Sequence, residues 1–296
     1  MNRFFTLLLA ASCLNAVGQS EYCLDGTVWD DELQGCVSIN SADINNDGCV
    51  QLNDLLDLLT AYGDCGAEES AWQCGDAIEY QGYDYETVQI GQQCWFAENL
   101  RNENYQNGDA IPSELSASEW SSTNSGAVTL YGEGINECAW NSPATDACDE
   151  LWSLMEYGRL YNWHAVGDAR GLCPNGWHVP SDEEWMILEM SLGMTEIAAS
   201  NAGYRGDDQA LQMKTTYGWS NGGNGSNTSG FSALPAGSRY IEGYFSGAGN
   251  GSGWWSSSLS GELGWYRVIN YLNDNIYRSF ENRRKGFSVR CVQDFE

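Results

Sequence analysis

Basic residues, histidine and proline are scarce in this chain of 296 residues, and the shortages remove whole classes of function. Thirteen Lys and Arg stand against 41 Asp and Glu, a formal charge of −28, so the basic stripes that phosphate backbones require are missing and nucleic acid is not an expected partner. The imbalance is lopsided, since Arg101 is the one basic residue between positions 19 and 150. With only His164 and His178, no His-rich metal cluster is expected, and His178 between Trp177 and Val179 reads as a packed structural residue. No glycine-flanked serine leads from a strand into a helix as a nucleophile elbow requires, because Gly251-Ser252-Gly253 runs into strand-like Trp254 and Trp255. No segment of the mature chain approaches the roughly eighteen apolar residues of a membrane span, so no transmembrane segment is expected.

The opening MNRFFTLLLAASCLNAVG does carry an apolar run, from Phe4 to Leu14, behind Arg3 and ahead of the small residues Ala16 and Gly18. That is the pattern of a secretory signal peptide over 1–18, and the expected location is secreted, extracellular or on the cell surface. Losing Cys13 with the leader leaves ten of the eleven cysteines, an even number in an exported chain, which argues for disulfides rather than free thiols.

Residues 19–38 hold Cys23 and Cys36 around GTVWDDELQG and read as a short disulfide-closed loop or hairpin. The 39–66 segment that follows has oxygen-bearing residues at calcium-loop spacing: Asp43, Asn45, Asp47, the Cys49 carbonyl, Gln51 or a water, and Asp54, with Gly48 at the sharp turn. Leu55, Leu56, Leu58, Leu59 and Tyr62 then recur at helical spacing. The loop resembles one half of a type I dockerin, with calcium as its expected structural cofactor. There is no second copy, so the paired unit that docks a cohesin is not expected. Residues 67–73 read as a linker.

The densest stretch is Tyr157–Trp185. Its aromatic run from Tyr157 to Trp163 suits a strand, Cys173-Pro174-Asn175-Gly176 is a turn, and Ser181 with Glu184 predicts a capping box at the start of a helix that Gly193 can end. Asp182 and Glu183 are set favourably at the positive end of that helix. Gly286–Val292 alternates like a last strand and holds the only cysteine after Cys173, so these two segments should pair. YGRLYNWHAV, GLCPNGWHVPSDEEW, GFSALPAGSR, WWSSS and GFSVRCV closely resemble the Fibrobacter succinogenes major paralogous domain of secreted Bacteroidetes–Fibrobacter proteins, over about Cys74 to Asp294. The resemblance implies a domain over 74–296 related in fold to the C-type-lectin-like and formylglycine-generating-enzyme group. The expected class is therefore α+β: a sheet-rich, disulfide-stapled domain with few helices and long loops, preceded by a small loop-helix calcium element.

The cysteine order suggests mostly local pairs: Cys23–Cys36, Cys74–Cys94 and Cys138–Cys148, besides Cys173–Cys291. Cys49–Cys65 is left by subtraction, with Cys36–Cys49 and Cys23–Cys65 as the other arrangement. The glycan-binding triplets of calcium-dependent lectins are missing around all five prolines, and Leu272-Asn273-Asp274-Asn275 reads as a hairpin turn between two strands. Thirteen Trp and sixteen Tyr are mostly core, but Trp254, Trp255, Trp265, Tyr266 and Arg267 form a candidate ligand surface. No assembled catalytic set is visible. The leading expectation is a recognition or structural module binding extracellular carbohydrate or protein. Its rival is an extracellular polysaccharide-degrading enzyme or accessory protein, which needs two carboxylates about 5 to 9 Å apart in one cleft.

Overall fold

The structure, a computed structural model, describes residues 27–30, 35–38, 72–134 and 145–294. The signal peptide, the Asp43–Asp54 loop, Cys23, Cys49, Cys65 and Cys138 lie outside the described residues. The chain divides into two units, Met1–Ala71 and Trp72–Glu296. In the first, β1 (Thr27–Asp30) and β2 (Gly35–Ser38) pair antiparallel, with Trp29 opposite Cys36.

The second unit opens with the hairpin β3 (Ile78–Tyr80) and β4 (Tyr83–Tyr85), then β5 (Thr87–Ile90) and β6 (Gln93–Phe96). A largely irregular region follows, as its polar composition predicts, holding α1 (Ala117–Ser122), β7 (Val128–Thr129) and α2 (Glu150–Tyr157). Each helix starts on a side-chain cap: Ser116 and Glu119 form a capping box for α1, and Asp149 accepts from the Trp152 amide for α2.

The aromatic run after Tyr157 forms a strand only over β8 (Leu160–Asn162). The Asn162 side chain accepts from the Ala165 amide and starts a single helical turn, α3 (Trp163–Val166), so Trp163 is helical rather than extended. β9 (Trp177–His178) leads to α4 (Asp182–Ser191), where the Ser181 hydroxyl accepts from the Glu184 amide and the Glu184 carboxylate from the Ser181 amide. Gly193, at φ +98°, donates back to the Met190 carbonyl and ends the helix. Then come α5 (Glu196–Ser200), β10 (Gly203–Arg205) and α6 (Gln209–Met213).

The last third is β11 (Ala236–Arg239), β12 (Phe245–Ala248), β13 (Gly251–Ser260), β14 (Leu263–Asn270), β15 (Ile276–Asn282), β16 (Gly286–Phe287) and β17 (Val292–Gln293). The larger sheet runs β10-β15-β14-β13-β11-β16-β8-β7 with β12 on β11, and a smaller one runs β5-β6-β17-β9. The domain is therefore sheet-rich α+β, with six α-helices among the described residues. The end of the chain meets the Tyr157–Trp185 stretch twice: β16 pairs β8, Phe287 opposite Tyr161, and β17 pairs β9, Val292 opposite His178. Between those pairings Cys173 is bonded to Cys291, and Cys74 to Cys94.

Two buried clusters sit on opposite faces of β13. Tyr85, Phe96, Tyr161, Trp177, Trp255 and Phe287 belong to one, and Trp95, Trp185, Phe231, Trp254, Ile269 and Ile276 to the other. Arg290 ties the C-terminal segment to the second without a carboxylate. Its guanidinium donates to Asn99 Oδ1 at 2.8 Å and to the carbonyls of Phe96, Phe231 and Ser232, which satisfies a cation held 1% exposed.

Candidate ligand-binding face

The surface expected at Trp254, Trp255, Trp265, Tyr266 and Arg267 is not a surface. Trp254 and Trp255 are both 0% exposed, because successive residues of β13 enter the two clusters on its two faces. Trp254 Nε1 donates to Asn99 Oδ1 at 2.9 Å and Trp255 Nε1 to the Tyr161 carbonyl at 2.8 Å, so both polar tips are also engaged inside. Arg267 is buried against α4, donating to Asp182 at 2.5 Å and to Glu189 at 2.8 Å. Trp265 is half-buried and its ring lies 4.0 Å from the Arg278 guanidinium. Tyr266 faces the other way, on the side of Trp255.

The register of the β10-β15-β14 edge explains the split. Arg267 opposes Arg278 and Tyr266 opposes Ser279, so Trp265, Arg267, Arg278 and Arg205 share the α4 side while Tyr266, Val268, Tyr277 and Tyr204 share the opposite one. On the α4 side the charges close on themselves. Asp182 takes Arg267 and Arg278, and Glu189 takes Arg267 and Arg205, each pair at 2.5 to 2.8 Å. Burial pushes the Asp182 carboxyl pKa up, but hydrogen bonds from Arg278 and Arg267 and their charges outweigh it and hold it below the ordinary value.

On the opposite side the rings form a continuous strip. Tyr204 and Tyr277 lie 4.9 Å apart, Tyr277 and Tyr266 6.3 Å, and Tyr266 stacks on Phe287 at 4.9 Å. Phe287 reaches this position because Gly253 has no side chain, as a Cβ there would stand 2.4 Å from its ring. Lys285 carries the run onward, its Nζ 5.6 Å from the Phe287 ring centroid and 3.1 Å from that of Tyr240. Tyr240 in turn stacks nearly parallel on Tyr244 at 4.6 Å. The two ends are the open parts, Tyr204 being 54% and Tyr244 53% exposed. Asn270 Nδ2 donates to the Tyr204 hydroxyl at 2.9 Å and fixes that ring on the sheet.

A polar cleft of about 600 Å³ lies elsewhere, lined by Tyr105, Asn124, Ser125, His164, Asp168 and Arg170 among others. Asp168 is the one carboxylate in its lining, and Arg170 holds it in a two-point bond at 2.9 and 2.8 Å, drawing its pKa down to about 2. Burial and the charges of Arg283 and Arg284 lower the His164 pKa. With a single, engaged carboxylate, this cleft lacks the acid pair that glycoside hydrolysis uses.

His178 is held by both ring nitrogens, Nε2 to Glu184 at 2.7 Å and Nδ1 to Asp294 at 2.5 Å. The hydrogen bond to Glu184 leads in raising its pKa. This fastens β17 to the start of α4 and leaves no ring nitrogen for a substrate. Among the described residues no group of three or more His, Cys, Asp or Glu is placed to hold a metal ion, and no helix is long and apolar enough to cross a membrane.

The family model for the Fibrobacter succinogenes major domain matches residues 88–293. No curated protein and no solved structure matches the chain.

Proposed function

The chain belongs to the Fibrobacter succinogenes major domain family, and from that premise we propose that it is an exported recognition module whose tyrosine strip binds extracellular polysaccharide. The observation that carries this reading is the strip itself: tyrosines from β10, β14 and β15, continued through Phe287 and Lys285 to the stacked pair in the turn after β11, and open at both ends. Aromatic rings offer apolar faces to the C–H faces of sugars, while their hydroxyls offer hydrogen bonds at the edges. A strip crossing several strands suits an extended chain better than a single small molecule. The relationship to the C-type-lectin-like group belongs to the same reading. It is supported by the chain end returning to Tyr157–Trp185 under the Cys173–Cys291 bond.

The reading extends to export through residues 1–18 and to calcium in the Asp43–Asp54 loop, both supported by residue pattern alone. In the loop, Asp43, Asn45, Asp47 and Asp54 would supply side-chain oxygens and Cys49 its carbonyl. Calcium titration of the full chain and of its Asp47→Ala variant separates a loop that binds the ion from one that does not, since equal heats remove the assignment. For the strip, affinity electrophoresis of the purified chain through gels containing soluble polysaccharides is the test. Retardation by at least one polysaccharide is expected, and migration unchanged by every member of a broad panel would sink the reading.

A further inference from the structure

The chain contains two lysines, and the structure treats them differently. Lys214 is buried with its Nζ donating to the Asn273 carbonyl and to Asp274, both at 3.2 Å. Lys285 is also buried, 7% exposed, yet its Nζ has no oxygen acceptor among the described residues and rests on the Tyr240 ring instead. An ammonium carries three donors, and with no protein oxygen on Lys285 Nζ, which still reaches solvent, they stay available to an outside acceptor. Burial accordingly lowers its pKa. Lys285 sits between Phe287 and Tyr240 and joins the two halves of the strip.

Charge decides which occupant. Glu281 and Glu242 act on Lys285 through space, Glu281 also on Tyr266 and Glu242 on Tyr244, so carboxylates accompany the strip at both of its halves. The chain as a whole carries −28, and a polyanion approaching it meets long-range repulsion. Lys285 offers one positive charge against that field. What it lacks is an oxygen acceptor rather than a charge partner, and a sugar hydroxyl or ring oxygen supplies one without adding negative charge.

Resting on the reading that the strip binds polysaccharide, we propose that its ligand is a neutral, hydroxyl-rich polysaccharide and that Lys285, whose ammonium no protein oxygen holds, is the donor that selects it. The experiment is affinity electrophoresis of the full chain and its variants in neutral glucan and mannan gels and in polygalacturonate and alginate gels, at low and high salt, with the melting temperature of each protein. Wild type should be retarded by a neutral polymer, independently of salt, and not by the acidic ones. Lys285→Met should weaken binding tenfold or more with a melting temperature close to that of wild type, since it keeps the apolar stem on the rings and removes an ammonium that no protein oxygen holds. Lys285→Gln, which keeps a donor, should bind more tightly than Lys285→Met, and this ranking still decides the matter if one variant is less stable. Acidic polymers retarding the chain as strongly as neutral ones, or Lys285→Met binding like wild type, would overturn the selectivity while leaving the strip as a glycan site. No retardation by any polymer would overturn both.

Discussion

The two faces of the β10-β15-β14 edge are made by alternate residues of the same strands, and they have opposite chemistry. Arg267 and Arg278 point toward α4 and are consumed by Asp182 and Glu189 in a buried network. Tyr266 and Tyr277, each next to one of those arginines in sequence, point away and line a strip with exposed ends. The first face holds the sheet to its helix, and its groups have no capacity left for a ligand. The second contributes little to holding the domain together at Tyr204 and Tyr244 and keeps its rings and hydroxyls available. In the proposed reading, binding capacity follows from which polar groups the fold leaves unspent, not from which residues are aromatic or charged.

That contrast is sharpest in stability. Arg267→Ala leaves two buried carboxylates short of a partner and should cost about 3 to 5 kcal/mol in denaturant unfolding. Trp254→Ala, emptying a buried site on the same side, should cost a similar amount, about 3 to 5 kcal/mol. Either variant melting like wild type would mean that this face is not what secures the sheet. Tyr204→Ala and Tyr244→Ala, by comparison, should each fall within about 0.5 kcal/mol of wild type, as exposed substitutions usually do. Their expected effect is on polysaccharide retardation.

A third prediction uses pH and concerns the seam between β9, β17 and α4. His178 has a raised folded pKa, so its contribution is fully present below the unfolded value near 6.5 and is lost as pH rises through the folded value. Because the side chain is 39% exposed, solvent screening keeps this small, under about 1 kcal/mol. The melting-temperature gap between wild type and His178→Gln should therefore be widest near pH 5.5 and close toward pH 9. A gap that widens on the alkaline side would assign the ring a different role.

Local and singular signals were legible in the sequence. The Ser181–Glu184 capping box, the Gly193 stop, the hairpin at Leu272–Asn275 and the pairing of Cys173 with Cys291 need only short windows or the absence of another candidate. The candidate surface was not legible. Trp254-Trp255 reads the same whether one face of a strand is covered or both, and only the assembled sheet shows that both are. Asp182 reads as a first-turn acid suited to the helix dipole, yet its partners Arg267 and Arg278 lie 85 and 96 residues away in sequence. Tyr204, Tyr277 and the Tyr240–Tyr244 pair fall in three separate segments, and nothing in any one of them marks a strip before the fold brings them together. The difference between Lys214 and Lys285 lies in their partners, which no stretch of sequence shows.

The most direct measurement pairs stability with binding in one protein, the Tyr204→Ala/Tyr244→Ala double variant. A melting temperature within about 2 °C of wild type, as expected of exposed positions, together with loss of retardation in the polysaccharide gel that retards wild type, is the predicted result. A double variant that unfolds, or that is retarded as strongly as wild type, would contradict the division of this sheet into a securing face and a binding face.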